Sequence, residues 1–397
     1  MRRAYVIGTC DTKGVELAFV RDCLERAGAR TRLVDVGTRQ SPGTVDVAPD
    51  EVAMAHPDGA AAVFVDDRGQ AVAAMADALR RWLPDRDDLA GVVGLGGSGG
   101  TALICPALRA LDVGVPKLMV STVASGQVGQ YVGGSDITMM YSVTDVAGMN
   151  RVSRKVLANA AAAMAGMVKF TSEEQGDDRP ALGLTMFGVT TACVDAVRSK
   201  MEDRYDCLVF HATGTGGAAM EKLADSGLVD GLIDLTTTEI ADLLVGGIFP
   251  ASDDRLGAPA RRPLPYVGSC GALDMVNFGP VSEVPEPYRK RLLYAHNPQV
   301  TLMRTTPDEN VRIGTFIGER LNRMSGPVCF LLPEGGISAL DAPGQPFWDP
   351  EADQALFEAI ERTVRPGAQH SVLRLPHHIN DEQFAQAVVA AFEEIQR

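Results

Sequence analysis

The sequence lacks most of the features that would name a chemistry at once. It has no C-x-x-C pair. Its seven cysteines (Cys10, Cys23, Cys105, Cys193, Cys207, Cys270 and Cys329) are odd in number and scattered, which argues for free thiols in a reducing compartment rather than a disulfide framework or a zinc site. It has no basic excess. Against 37 basic residues stand 51 acidic ones, a formal charge of -14, whereas a nucleic-acid partner calls for clustered Lys and Arg. Nor has it a long apolar run: the most apolar helical stretch, 156–168, is alanine-rich and too short to span a bilayer, so no membrane partner is expected. The chain enters a strand-like segment at its start, which predicts no signal peptide and, with the acidic charge, a soluble cytoplasmic protein. Metal spacing is missing too, since the adjacent His377 and His378 cannot chelate from one face.

What is present is alternation. Strand-like runs (5–7, 32–36, 61–65, 92–93, 117–120) are interleaved with helix-like ones (15–27, 71–83, 102–111, 148–170), the pattern of a parallel sheet with helices on both faces. Pro106 should kink the helix it falls in or mark a late start. The polar, proline-ended stretch 171–180 reads as a linker, and beyond it the alternation restarts. With 397 residues, the expectation is an α/β chain of two Rossmann-like domains, 1–175 and 180–397, with mostly parallel sheets.

Each half carries a glycine loop after a strand. The first, Gly94-Leu95-Gly96-Gly97-Ser98-Gly99-Gly100-Thr101, is spelt like an anion cradle: glycines admit a phosphate close to the backbone, and the helix start then faces it. It fits G-x-G-x-x-G, but the next strand ends in Ser121-Thr122 where a dinucleotide fold usually places a ribose-binding acid. No Lys-Ser or Lys-Thr closes it as a Walker loop. A tight turn that only packs helix on sheet is the plainer alternative. In the first turn, Gly8 to Gly14, Lys13 opposes the helix dipole unless a phosphate is bound. Asp11 or Thr12 is a candidate helix cap, and Asp11 a candidate magnesium or ribose contact. Asp136 and Asp145 are weaker candidates of the same kind.

In the second half, His211-Ala212-Thr213-Gly214-Thr215-Gly216-Gly217-Ala218 looks like a twin of the first loop. Polar groups stand where the predicted strands end: His211, Glu239, Cys270, Glu334 before Gly335-Gly336, and His377. In a parallel sheet these face one side, where a His and a Glu suit acid and base roles. Each alone is equally at home as a structural residue. Asn380-Asp381 looks like a cap for a helix over 382–395, with Gln383 completing a capping box. The proline-rich stretch 246–265, with Arg255, Arg261 and Arg262, reads as a lid, a subunit contact or a solvated loop.

On the motifs Gly8-Thr9-Cys10-Asp11-Thr12-Lys13-Gly14, Gly94 to Thr101, Ser135-Asp136-Ile137, Ala212-Thr213-Gly214-x-Gly216-Gly217 with Met220-Glu221, and Pro333-Glu334-Gly335-Gly336 with Asp341, the chain resembles the Tm-one-like ATP-binding family. That family takes its name from a tomato protein of tobamovirus resistance. The likeness covers essentially the whole sequence. It implies two Rossmann-like domains, ATP with magnesium on the N-terminal one, and a homodimer. It implies nothing definite about a reaction, and the plant protein's antiviral role is not carried over.

The expectation is therefore an ATP-dependent enzyme. ATP would lie on Gly96, Gly97, Ser98, Gly99, Gly100 and Thr101 with Asp11, Thr12, Lys13, Ser121 and Thr122. A small anionic metabolite would lie near Gly214, Thr215, Gly216, Gly217, Cys270, Gly335 and Gly336, served by His211, Glu239, Glu334 and His377. The alternative is a nucleotide-gated binding protein without catalysis. An NAD-dependent oxidoreductase is disfavoured by Ser121-Thr122.

Overall fold

Parallel strands buried on both faces read as continuous apolar runs, and in the computed structural model such runs form the middle of two sheets. The structure describes residues 2–39, 44–146, 148–170, 179–365, 367 and 369–396. The expected linker lies almost wholly outside them. The chain divides into two compact units, Met1–Gln175 and Gly176–Arg397.

The first unit runs β1 (Arg3–Gly8), α1 (Cys10–Arg26), β2 (Thr31–Asp35), α2 (Pro49–Ala53), α3 (Arg68–Trp82), β3 (Leu89–Gly96), α4 (Ser98–Ala110), β4 (Lys117–Ser121), α5 (Gly129–Val132), β5 (Thr138–Tyr141) and α6 (Arg151–Lys169). Its sheet has the order β2-β1-β3-β4-β5, with every pairing parallel. Leu17, Val20 and Leu24 of α1 meet Leu157, Ala160 and Met164 of α6 on one face. Met75 and Leu79 of α3 join Leu103, Ile104 and Leu108 of α4 on the other.

The second unit continues with β6 (Ala181–Met186), α7 (Thr191–Met201), β7 (Asp206–His211), α8 (Thr215–Asp225), β8 (Gly231–Thr236), α9 (Thr238–Val245), α10 (Ala258–Arg261), β9 (Tyr266–Gly271), β10 (Met275–Phe278), β11 (Leu293–Asn297), β12 (Val300–Arg304), α11 (Pro307–Leu321), β13 (Val328–Pro333), α12 (Pro350–Thr363), β14 (His370–Leu375) and α13 (Glu382–Ile395). Six parallel strands follow the order β14-β13-β9-β8-β6-β7, and β10-β12-β11 form a small antiparallel sheet. On one face Val194 and Met201 of α7 pack with Phe384, Val388 and Phe392 of α13. Met220, Ile240, Ile313 and Leu356 belong to the core on the other.

Strand order reverses at β1/β3 in the first unit and at β6/β8 in the second. Ligands of open α/β sheets sit outside the carboxyl ends of the strands at such points.

Four local expectations are corrected. Residues 61–65 form no strand: a single 3-10 turn covers Ala60–Ala62, Val63 is buried, and Phe64 and Val65 stay exposed. Helix α4 starts within the glycine stretch, at Ser98, and runs through Pro106, so the proline marks no late start. Asp381 is the N-cap residue of α13 but does not cap it with its side chain; that carboxylate accepts from His378 N at 2.8 Å instead. Within the 246–265 stretch Arg255 is not solvated but buried in the unit's interior. Among the described residues no helix is long and apolar enough to cross a membrane.

Candidate functional site

Two helix starts lie side by side at the first unit's switch point. β1 and β3 are neighbours, with Ile7 opposite Gly94, so the Gly8-Thr9-Cys10 turn adjoins the Gly96-Gly97-Ser98 turn. Neither N-cap residue caps its helix, since Thr9 before α1 and Gly97 before α4 make no such bond, but at α1 the side chain of Asp35 takes the Cys10 N–H. At α4 the first-turn N–H groups and the positive dipole end are left for another acceptor, while at α1 the Cys10 and Thr12 N–H groups are taken by Asp35 Oδ1 and the Thr9 carbonyl.

The glycines of this loop divide by role. A methyl on Gly96 would come within 2.8 Å of Gly100 Cα, and one on Gly94 within 2.6 Å of Met119 Sδ. These two are small because the loop folds on itself and on the sheet. Gly97 and Gly99 differ: a methyl on Gly97 meets only Thr122 Oγ1, at 3.7 Å, and one on Gly99 meets nothing within 4 Å. Packing does not require glycine there, and open space faces the helix start.

The hydroxyls divide likewise. Thr101 Oγ1 donates to the Gly97 carbonyl at 2.8 Å and shares a 2.6 Å bond with Ser121 Oγ. Both residues are fully buried, so they brace the loop rather than face solvent. Ser98 is exposed and Thr122 half-buried at its rim. Asp11, Thr12 and Lys13 form the first turn of α1, where Thr12 and Thr9 share a 2.9 Å hydroxyl bond and Asp11 is exposed.

The acid missed after β4 stands two strands earlier in the chain. β2 ends in Asp35, the position a dinucleotide fold uses, counted from the β1 turn. Its Oδ1 accepts from Cys10 N at 2.9 Å and Gly37 N at 2.8 Å, and the residue is fully buried. Burial raises its pKa. It organises the turn from inside and presents nothing to a ribose. Asp136 lies at the other end of the sheet, paired with Lys117 Nζ at 2.7 Å.

The second loop, alike in spelling, is filled by the protein itself. A methyl on Gly216 would overlap the His211 carbonyl oxygen, one on Gly217 the Glu239 carboxylate, and one on Gly214 the Pro250 carbonyl. Glu239 is completely buried, accepts from Gly214 N at 2.6 Å and pairs with Arg255 Nε. The chain's own carboxylate thus lies at the start of α8, where the first loop is open. Thr215 is exposed beside it.

The strand-end residues do not converge. His211 ends β7 at one edge of the sheet, while Glu334 and His377 follow β13 and β14 at the other. Four ladder steps separate β7 from β13, about 19 Å at the usual strand spacing. Glu334 is exposed and lies 3.4 Å from Arg374, which also holds Glu361 at 2.7 Å. Gly335 and the positive-φ Gly336 let the β13 and β14 loops touch: Gly335 N donates to the His377 carbonyl at 3.0 Å. Cys270 is buried and its thiol pKa is raised well above the ordinary value by desolvation, the reverse of an activated nucleophile.

His211 instead lines a cleft of about 270 Å³ with Phe187, Phe249 and two residues of the β11–β12 hairpin, His296 and Asn297. Its ring lies 5.3 Å from that of Phe187. Phe249 is fixed from behind, its N–H donating to Asp242 Oδ2 at 2.9 Å. Desolvation pushes the Asp242 carboxyl up to about 6. The sequence reading found His211 and missed His296, Asn297, Phe187 and Phe249. One signal was available: Asn297-Pro298 is a turn dipeptide between apolar runs, and Asn297 Oδ1 accepts from Gln299 N at 2.8 Å to close that turn.

Residues 2–173 match the N-terminal domain of the uncharacterised protein family UPF0261, and residues 179–396 match its C-terminal domain. A UPF0261 protein of Rhizobium meliloti (strain 1021) is 59% identical over 100% of this chain and 99% of its own length. Another, from Mesorhizobium japonicum, is 57% identical over the full length of both. The ToMV resistance protein Tm-1 of Solanum lycopersicum is 45% identical over 99% of this chain, which spans 56% of that longer protein. With both units matched in order and relatives aligned end to end, the chain belongs to the UPF0261 family.

Proposed function

We propose that the chain binds ATP through its first unit and a small anionic metabolite through the cleft of its second, as an ATP-dependent enzyme acting on that metabolite. One observation carries the nucleotide half. Two helix starts adjoin at the switch point, that of α4 has no side-chain acceptor, and the glycines facing outward there, Gly97 and Gly99, are not required by packing. Backbone N–H groups of both helices would receive phosphate oxygens, with the Thr122 hydroxyl at the rim. Lys13 would add positive charge from the first turn of α1. Magnesium would be carried by the phosphates, with Asp11 as its one carboxylate. Bound ATP would supply a phosphoryl or adenylyl group. The inward-turned Asp35 favours ATP over a dinucleotide held by its ribose.

The test separates binding from folding. Gly97 has φ -77 and ψ -162, the extended geometry of an N-cap, and aspartate is a preferred N-cap residue. Gly97→Asp should therefore raise apo stability by a few tenths of a kcal/mol while placing a carboxylate where the phosphate binds. Calorimetric titration with ATP, ADP and NADH should show ATP bound by the parent chain and at least about 100-fold weaker binding by the variant, about 2.7 kcal/mol. Retained ATP affinity in a folded Gly97→Asp chain would move the site elsewhere. A chain that binds both ligands and never turns over is a nucleotide-gated binding protein instead.

A further inference from the structure

We infer that the cleft between Phe187, Phe249 and the β11–β12 hairpin is a site for a small monocarboxylate with an aryl or branched-alkyl body. This rests on the second-unit half of the proposed function and names the class of ligand.

The cleft's chemistry is divided. Phe187, Val189, Phe249, Val300 and Leu302 give an apolar wall, and the polar groups at its edge are His211, Thr213, His296 and Asn297. Ligand sites commonly combine an apolar body with a few placed polar groups. Both histidines are exposed, and neither imidazole has a hydrogen-bond partner among the described residues, whereas His378 is held on both nitrogens, Nδ1 by Asn380 N at 3.0 Å and Nε2 by the Ser338 carbonyl at 2.8 Å. Asn297 spends its Oδ1 on its own turn, which leaves Nδ2 to donate outward. Two imidazoles and an amide N–H can all donate to an acceptor.

Charge narrows the class. No Lys, Arg, Asp or Glu lines the cleft. An amine would find no carboxylate, and a phosphate dianion would find no full positive charge. A single carboxylate suits donors of this strength. A volume of about 270 Å³ suits one ring or one branched chain with its head group.

The experiment is calorimetric titration of the full chain with benzoate and phenylacetate, against benzamide and phenyl phosphate. The two carboxylates should bind saturably, and the amide and the phosphate at least about tenfold more weakly. His211→Ala and His296→Ala should each weaken carboxylate binding about tenfold with a melting temperature changed by no more than a few degrees, since neither imidazole is hydrogen-bonded and His211 loses only its ring contact with Phe187. Phe249→Ala should weaken it as well. Equal binding of benzamide, tighter binding of phenyl phosphate, indifference to both histidine changes, or no saturable binding by either carboxylate up to about 10 mM would each overturn the inference. ATP titrated in the same chain keeps the two readings apart: ATP binding without carboxylate binding sinks this inference alone, and the reverse sinks the nucleotide site alone.

Discussion

Replacing Arg255 with leucine should lower the unfolding free energy of the second unit by about 3–5 kcal/mol at neutral pH. The guanidinium is 2% exposed and uses all three nitrogens: Nε pairs with Glu239, Nη1 with Glu221 at 2.9 Å and Nη2 with Asp234 at 2.8 Å. Around it, Tyr266 and Thr185 hydroxyls donate to Asp234 at 3.0 and 2.6 Å, and Glu221 takes the N–H groups of Leu256, Gly257 and Ala258. One cation thus serves three buried carboxylates drawn from α8, β8 and α9. Removing it leaves them without a counter-charge, which is the costly way to break a buried ion network.

The loss should depend on pH in a definite direction. Desolvation already raises the pKa values of Glu221 and Glu239 above the ordinary carboxylate value, against the pull of Arg255. A carboxylate whose folded pKa is raised contributes stability that is present at low pH and fades as pH rises through that value. Without the guanidinium the folded values climb further, and acidification lets the carboxylates take up protons. The defect should therefore be largest near pH 7.5 and smaller near pH 5, as read by urea unfolding at both. An equal loss at the two pH values would refute the charge account. A loss below about 1 kcal/mol would refute the network itself. Arg255→Lys should recover only part, because one ammonium lacks the planar fork that reaches three partners.

This network shows where the sequence stops being legible. The central parallel strands were readable because burial on both faces leaves apolar runs, as in Leu118-Met119-Val120, whereas the edge strand β5, without buried residues, was not. Strand β11 was not: it is an edge strand with exposed Tyr294, Ala295, His296 and Asn297, so no buried face imposes a period of two. With it went half of the cleft. Arg255 sits among prolines, glycines and charges like a surface residue, and its partners lie 16 to 34 positions away, so nothing local marks it as interior. Asp35 was overlooked for a different reason. The dinucleotide spelling lies on the loop after β3, but in the observed strand order the first loop of the fold follows β1. Counting from the wrong loop placed the expected acid on β4, where Ser121 is a brace for Thr101.

The two glycine loops give the second large prediction, because they read alike and are built for different ends. Gly216→Ala should cost about 3 kcal/mol or more. Its methyl would overlap the carbonyl oxygen of His211, which is backbone at the end of β7 and has no rotamer to give way. The change should also displace His211 and abolish carboxylate binding in the cleft. Gly99→Ala should do the opposite and stabilise by up to about 1 kcal/mol: the space is open, and alanine loses less chain entropy in a helix than glycine. The same methyl stands at the start of α4, so ATP binding should weaken while folding improves. Thermal melts and titrations of the two variants decide the matter. Equal destabilisation would mean that both loops are packing turns and would remove the case for a phosphate on either. Opposite signs would mean that glycine is kept at 216 by the protein's own backbone and at 99 by something that binds there.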